Sequence, residues 1–339
     1  MQRGQRLWVV SCLVLAGACA STKRPPAERY EFEKVRMGVS FRLAFYAPSE
    51  SLAEQAADAA FERVAELDGI LSDYDPGSEL MRLCAEPERR VKVSRDLATV
   101  LGRSLELSRQ SGGAFDVSVG PYVALWREAR RSGRMPRARA LRAAARLVGP
   151  RLVELDPVAR TVRLQRPGMR LDLGGIAKGY AVDQAMALLR KRGITRALVD
   201  GGGDILAGDP PPGREGWVIA IQALRPGGEP GPRVVLARRA IATSGDLEQA
   251  VVIDGRRYSH IVDPRTGLAL TGPSSVTVLA PDCMTADALA TAVSVLGPVA
   301  GLRLVEEVQG AEALYVRIRD GKLESFRSGR FEAELGTSR

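Results

Sequence analysis

Apolar residues recur at steps of three and four in four stretches of the chain, each with its own boundary chemistry. In residues 49–71, Leu52, Ala56, Ala60, Val64, Leu67 and Leu71 share one helical face behind a Pro48-Ser49 start. Residues 94–110 open on a capping serine and stop at Gly112-Gly113. Residues 177–192 end in a basic last turn, Lys191 and Arg192, followed by Gly193. Residues 285–296 end at Gly297-Pro298, and a further helix is predicted up to Gln309. Strand-like runs fall at 39–46, 161–164, 197–199, 217–223, 233–236, 250–253, 275–279 and 313–319. Helices and strands mix without a steady βαβ rhythm, which predicts an α+β fold rather than a doubly wound parallel sheet. The Pro/Gly-rich stretches 209–216 and 225–232 read as exposed hairpin loops, and no internal repeat is visible.

The N-terminus carries a different pattern. Arg3 and Arg6 precede a nine-residue apolar run, 7–15, too short to span a bilayer at about 20 residues. It fits the hydrophobic region of a secretory signal, so residues 1–18 read as a signal peptide. Small residues Ala16, Gly17 and Ala18 lead into Cys19, as in a lipobox, where Cys19 would be lipidated. Ordinary cleavage after Ala18 or Ala20 is the alternative. Residues 19–29 then read as a lipid-anchored tether, which would hold residues 30–335, enough chain for one large domain or two smaller ones, outside the cytoplasm on the periplasmic side of a bacterial membrane.

Composition adds limits. The 339 residues are 45% hydrophobic and 26% charged, which excludes a disordered or fibrous chain. Net charge is +9, but it is spread along the chain, and only 5% of residues are aromatic, so a nucleic-acid footprint is not expected. Eight arginines between Arg127 and Arg146 read as a solvated arm, or as a contact with anionic lipid near the anchor. Beyond Cys12 and Cys19, only Cys84 and Cys283 remain; they read as free thiols, not a disulfide framework.

Several segments could carry chemistry. The one histidine, His260, precedes the turn Asp263-Pro264-Arg265-Thr266-Gly267, and side chains at such strand ends point into clefts. A histidine-rich zinc site is excluded, although His260 alone could equally be structural. Gly174, Gly175 and Gly179 lie at the start of the helix that contains Lys178 and Asp183, where free amides suit phosphate; the spacing matches neither a Walker loop nor a Rossmann fingerprint. Asp200-Gly201-Gly202-Gly203-Asp204 follows a strand and can also be a turn with two solvated carboxylates. Asp287 and Thr291 stand four apart, on one helical face, and a carboxylate and hydroxyl so placed suit Mg²⁺; a helix-start aspartate with a back-bonded threonine is the alternative. Asp116 sits in a short segment closed by Gly120-Pro121, and Tyr74 in a loop after the first helix.

In this order, these segments resemble the ApbE family of FAD:protein FMN transferases. The resemblance rests on seven colinear motifs: S-x-Y at Ser72 and Tyr74, S-E-L at Ser78, G-x-F-D-x-S-V-G-P at Gly113, D-L-G-G-I-A-K-G-Y-A-V-D at Asp172, S-G-D at Ser244, S-H-I-x-D-P-x-T-G at Ser259 and A-D-A-L-A-T at Ala286. It spans Met37 to about Gly297. It implies mixed, mostly antiparallel sheets packed with helices around a flavin cleft. It also implies that FAD is the substrate, with Mg²⁺ at its pyrophosphate, and that a Thr or Ser hydroxyl of an extracytoplasmic electron-transport protein attacks the FMN-side phosphorus and AMP leaves. By the same resemblance His260 is the base. Gly175, Asp287, Ala290 and Thr291 hold the metal, the glycine and alanine through carbonyls. Met37, Tyr74, Ala114, Phe115, Asp116, Asp172, Lys178 and Ile261 contact FAD. The same motifs also accommodate a Mg²⁺-dependent FAD pyrophosphatase giving FMN and AMP, or a flavin-binding lipoprotein without turnover. One departure stands out: Asp200 occupies a position where the family usually has asparagine.

Overall fold

The computed structural model of the protein describes residues 27–221, 232–245 and 250–331. The expected signal peptide, Cys19, and most of the 225–232 loop lie outside the described residues. Eight strands form one sheet and follow one another across it in chain order: Glu28–Arg36, Val39–Ala47, Ala197–Gly201, Ile205–Ala207, Arg239–Gly245, Ser274–Ala280, Glu312–Arg319 and Lys322–Arg327. Each neighbouring pair is antiparallel. The first two are joined by the two-residue turn Met37-Gly38, with φ of 49° and 74°, the left-handed pair that suits a tight hairpin. Glu28 and Arg29, expected in the tether, pair with Ala47 and Tyr46.

Alternation sets the two faces of this sheet. Phe41, Leu43 and Phe45 are buried on one side, in the main core, while Ala44 and Tyr46 point to the other. The main-core side is covered by α1 (Glu50–Leu71), which also packs on the helix α6 (Ala177–Lys191). Between α1 and α6 come α2 (Glu79–Cys84), α3 (Arg95–Gln110), α4 (Gly120–Ser132) and α5 (Ala138–Ala145). Next is α6 (Ala177–Lys191), which packs on α7 (Cys283–Glu306). The opposite face carries the hairpin Trp217–Ala220 with Arg233–Leu236, whose Trp217 meets Tyr46 at 6.3 Å between ring centroids. By length and composition α7 could cross a membrane, yet it is a core helix, with Leu289, Val293 and Val305 fully enclosed. Its backbone leaves helical geometry at Gly297 (φ 75°, ψ 176°), where the sequence predicts the stop.

Two insertions carry the rest. One, between the second and third strands of the large sheet, holds α1 to α6 and a three-stranded sheet ordered Val91–Lys92, Thr161–Leu164, Val153–Asp156. The other holds a three-stranded sheet of Val251–Ile253, Arg256–Val262 and Ala269–Thr271. This small sheet is seated on α4: Trp126 Nε1 donates to the Gly267 carbonyl at 2.9 Å, and its ring lies 5.1 Å from Tyr258. The arginine-rich segment is therefore largely helical, forming α4 and α5, and the buried Tyr122, Trp126 and Ala129 give α4 an inward face. Cys84 and Cys283 are free thiols, as expected.

Candidate active site

The glycine-rich loop and α6 begin where α7 begins, and each helix caps the other. Asp183 of α6 accepts the main-chain N–H groups of Cys283 and Met284, at 2.8 and 2.9 Å, in the first turn of α7. Asp287 of α7 accepts the N–H of Gly179, at 3.1 Å, in the first turn of α6. Such first-turn donors have no partner within their own helix, so two carboxylates satisfy them across the interface. Asp287 is thus not the helix-start aspartate of α7, since Asp282 fills that role by accepting the Thr285 N–H at 2.8 Å.

Lys178 lies beside this crossing. Its ammonium pairs with Asp204 and sits 4.0 Å from Asp287. Asp204 is buried, which settles one open reading of the 200–204 loop: only Asp200 is left toward the surface, folding back to accept the Gly203 N–H at 2.8 Å. Two buried acids share one lysine. Burial, reinforced by Asp204, pushes the Asp287 carboxyl up to about 7, and burial also raises Asp204. Burial alone would lower the Lys178 ammonium, but the two carboxylates outweigh it and raise it.

The cluster fits a hard divalent cation. Asp287 and Thr291 stand one turn apart on α7, and the main chain of Gly175 presses so close that a Cβ there would lie 2.7 Å from Thr291 Oγ1. Ser244 Oγ approaches the same hydroxyl at 3.4 Å, while Asp246 of that motif lies outside the described residues. The Ala290 carbonyl already accepts the Ser294 hydroxyl at 2.8 Å, so it has less capacity than the others. Among the described residues no group of three or more acidic, histidine or cysteine side chains forms a full cage. Such a sparse donor set suits Mg²⁺, which keeps waters and takes substrate oxygens as its remaining ligands.

A second group of residues reaches the same glycine loop from the other side. Asp172 accepts the Gly174 N–H at 2.8 Å and Arg127 Nη2 at 3.2 Å. Arg127 Nη1 donates to Asp73 at 2.6 Å, and its guanidinium lies 4.1 Å from the centroid of the Tyr74 ring. Burial and the neighbouring Asp73 raise the Asp172 carboxyl, opposed by Arg127. Tyr74, 78% exposed, lines an open cleft of about 670 Å³ with Val35, Met37, Gly38, Gly69 and Ser72. Met37 and Tyr74 therefore share one cleft although they lie on a hairpin turn and on the loop after α1.

Asp116 accepts both the N–H and the hydroxyl of Ser118, at 2.8 and 2.7 Å, and so caps the short turn Val117–Val119. The carbonyl of Val117 accepts the Asp172 N–H at 2.8 Å, which ties this segment to the glycine loop. Ala114 and Phe115 are buried, Phe115 within the main core, so neither offers an open surface to a ligand. His260 and Ile261 lie on the strand Arg256–Val262, where pairing shifts register between Tyr258 and Val262; such a bulge re-aims side chains. That strand packs against α7, which carries Asp287 and Thr291. Asp73 and Arg127 belong to this cluster although the sequence singles out neither, and Asp204, open to a solvated reading in the sequence, proves buried. Arg127 was hidden in a run of surface arginines, and nothing in its spacing marks it as half-buried.

Residues 37–315 match the ApbE family. The chain is 33% identical over 329 residues to an FAD:protein FMN transferase of Treponema pallidum, covering 92% of this chain and 90% of that one. It is 33% identical over 338 residues to one of Vibrio cholerae, covering 93% and 95%. Among solved structures, flavin transferase ApbE from Vibrio cholerae superposes with a TM-score of 0.82 at 30% identity, covering 91% of this chain and all of that one. An ApbE protein from Thermotoga maritima gives the same TM-score, identity and coverage.

Proposed function

The chain belongs to the ApbE family, and on that premise we propose that it is an FAD:protein FMN transferase. A threonine or serine hydroxyl of an acceptor protein attacks the FMN-side phosphorus of FAD; the new O–P bond forms as the pyrophosphate P–O bond breaks, and AMP leaves. The observation that carries this reading is the meeting of the glycine loop with the Asp287/Thr291 face of α7, the helix on which the strand bearing His260 also packs.

His260 takes the proton from the attacking hydroxyl on an imidazole nitrogen, as the one side chain here whose ordinary pKa lies near neutrality. Tyr74 and Met37 wall the cleft that receives a flat ring, and Lys178, held charged by Asp204 and Asp287, keeps a positive group beside the bound phosphates. Asp287, Thr291 and the carbonyls of Gly175 and Ala290 would hold Mg²⁺. When bound, Mg²⁺ supplies charge neutralisation at the diphosphate oxygens. Residues 1–18 direct export, and lipidation of Cys19 holds the protein at the outer face of a membrane, near extracytoplasmic electron-transport acceptors; the apolar run and the small residues before Cys19 support this.

The test is incubation of the full chain with FAD, Mg²⁺ and a threonine-containing acceptor peptide. A fluorescent, covalently labelled acceptor and released AMP are expected. Free FMN and AMP with an unlabelled acceptor would replace transfer by hydrolysis, and unchanged FAD would remove the catalytic reading.

A further inference from the structure

Tyr74 stands on a loop whose local ties are modest: the N–H groups of Tyr74 and Asp75 both reach Ser72 Oγ, each at 3.3 Å. A tyrosine so exposed would pay rotamer entropy to become a fixed wall of a binding slot. One guanidinium removes that freedom. Arg127 grips Asp73, the residue before Tyr74, at 2.6 Å, lies 4.1 Å from the Tyr74 ring centre, and reaches Asp172 at the root of the glycine loop at 3.2 Å. The fork and the flat stacking surface belong to arginine, not lysine. With one ring face taken by Arg127, a planar ligand must stack on the other. Asp73 and Asp172 would also repel a dinucleotide's phosphates if left unpaired, and Arg127 bridges both, offsetting one of the two charges. Arg127 stands on α4, whose Trp126 anchors the small sheet that carries His260.

We infer that Arg127 is the positioning residue that sets FAD affinity: it fixes Tyr74 as the wall of the ring-binding slot and ties that wall to the Asp172 loop, without touching the reacting phosphorus. This rests on FAD being the substrate. FAD is titrated by flavin fluorescence into the full chain and into Arg127→Gln, Arg127→Lys, Tyr74→Leu and the double variant Arg127→Gln/Tyr74→Leu. Each Arg127 variant is expected to bind FAD about tenfold more weakly, with KM for FAD raised and kcat kept within about threefold. In the Tyr74→Leu background the Arg127→Gln change is expected to cost less than about threefold, because the two residues act as one unit. Wild-type or tighter affinity in Arg127→Lys overturns the inference, as does an undiminished loss in the Tyr74→Leu background. If Arg127→Gln does not fold, Arg127→Lys, which keeps the charge, decides alone. A wild-type chain that does not bind FAD sinks the substrate reading, and this inference with it; a wild-type chain that binds beside unaffected variants sinks only this inference.

Discussion

Gly179 passes so close to Cys283 that a Cβ on the glycine would lie 2.3 Å from the cysteine carbonyl oxygen and 2.9 Å from Asp287 Cβ. The absence of a side chain thus sets how near α6 and α7 approach, and with it both reciprocal caps. Gly179→Ala is expected to force the helices apart and lower stability by about 1–3 kcal/mol. Chemical denaturation measures this, and a variant as stable and active as the parent would contradict the packing account.

His260→Ala is expected to lower kcat by about 10²–10⁴-fold while FAD still binds. Single-turnover transfer to an acceptor peptide, alongside an FAD titration, separates the two. Near-normal transfer would take His260 out of the role of base.

Chelation with EDTA is expected to stop transfer and added Mg²⁺ to restore it. Thr291→Val keeps the shape and removes the hydroxyl, so the Mg²⁺ concentration for half-maximal activity should rise about tenfold or more, with thermal stability little changed. Full activity in EDTA, or an unaltered Mg²⁺ requirement in Thr291→Val, would remove the assignment of the α7 face.

Asp183 makes stability depend on pH. Burial raises its carboxyl to about 7 from an ordinary 3.8, with Asp282 adding to the rise and the Cys283 and Met284 N–H groups and Arg190 opposing it. The native state therefore holds this proton after the unfolded chain has lost it. The contribution is fully present below about pH 4 and is lost as pH rises through about 7. Asp183→Asn should flatten the fall in unfolding free energy between pH 5 and 8 by roughly 1–2 kcal/mol. Parallel pH profiles for the two proteins would show that Asp183 does not titrate in this window.

The long helices are legible because their signals are local. Ser49 and Ser94 accept N–H groups as caps, Gly112 and Gly193 follow the last turns, and the break at Gly297 lies where the sequence predicts the end of a helix. The first strand escaped notice because its outer positions are Glu31, Glu33 and Val35, charged or exposed as suits a sheet edge. In the site, the spacing of Asp287 and Thr291 places them on one helical face, and no more than that. The partnership of Lys178 with Asp204, and of Arg127 with Asp73 and Asp172, joins residues from 26 to 54 positions apart. No periodicity encodes contacts of that kind; the arginine's exist only once the insertion folds on itself, and the lysine's only once it meets the large sheet.

The chain-order layout of that sheet has a kinetic consequence. The strand Val39–Ala47 must wait for Ala197–Gly201 to emerge from roughly 150 intervening residues before the two can zip together. Pairing across so long an insertion raises the contact order, which predicts slow closure of the sheet. Because α6 leads straight into the returning strand and α7 follows it in the chain, the Gly179–Asp287 contact between the two helices forms only after that strand has been made. Flavin capture should therefore report completed assembly, with a half-assembled chain leaving FAD in solution.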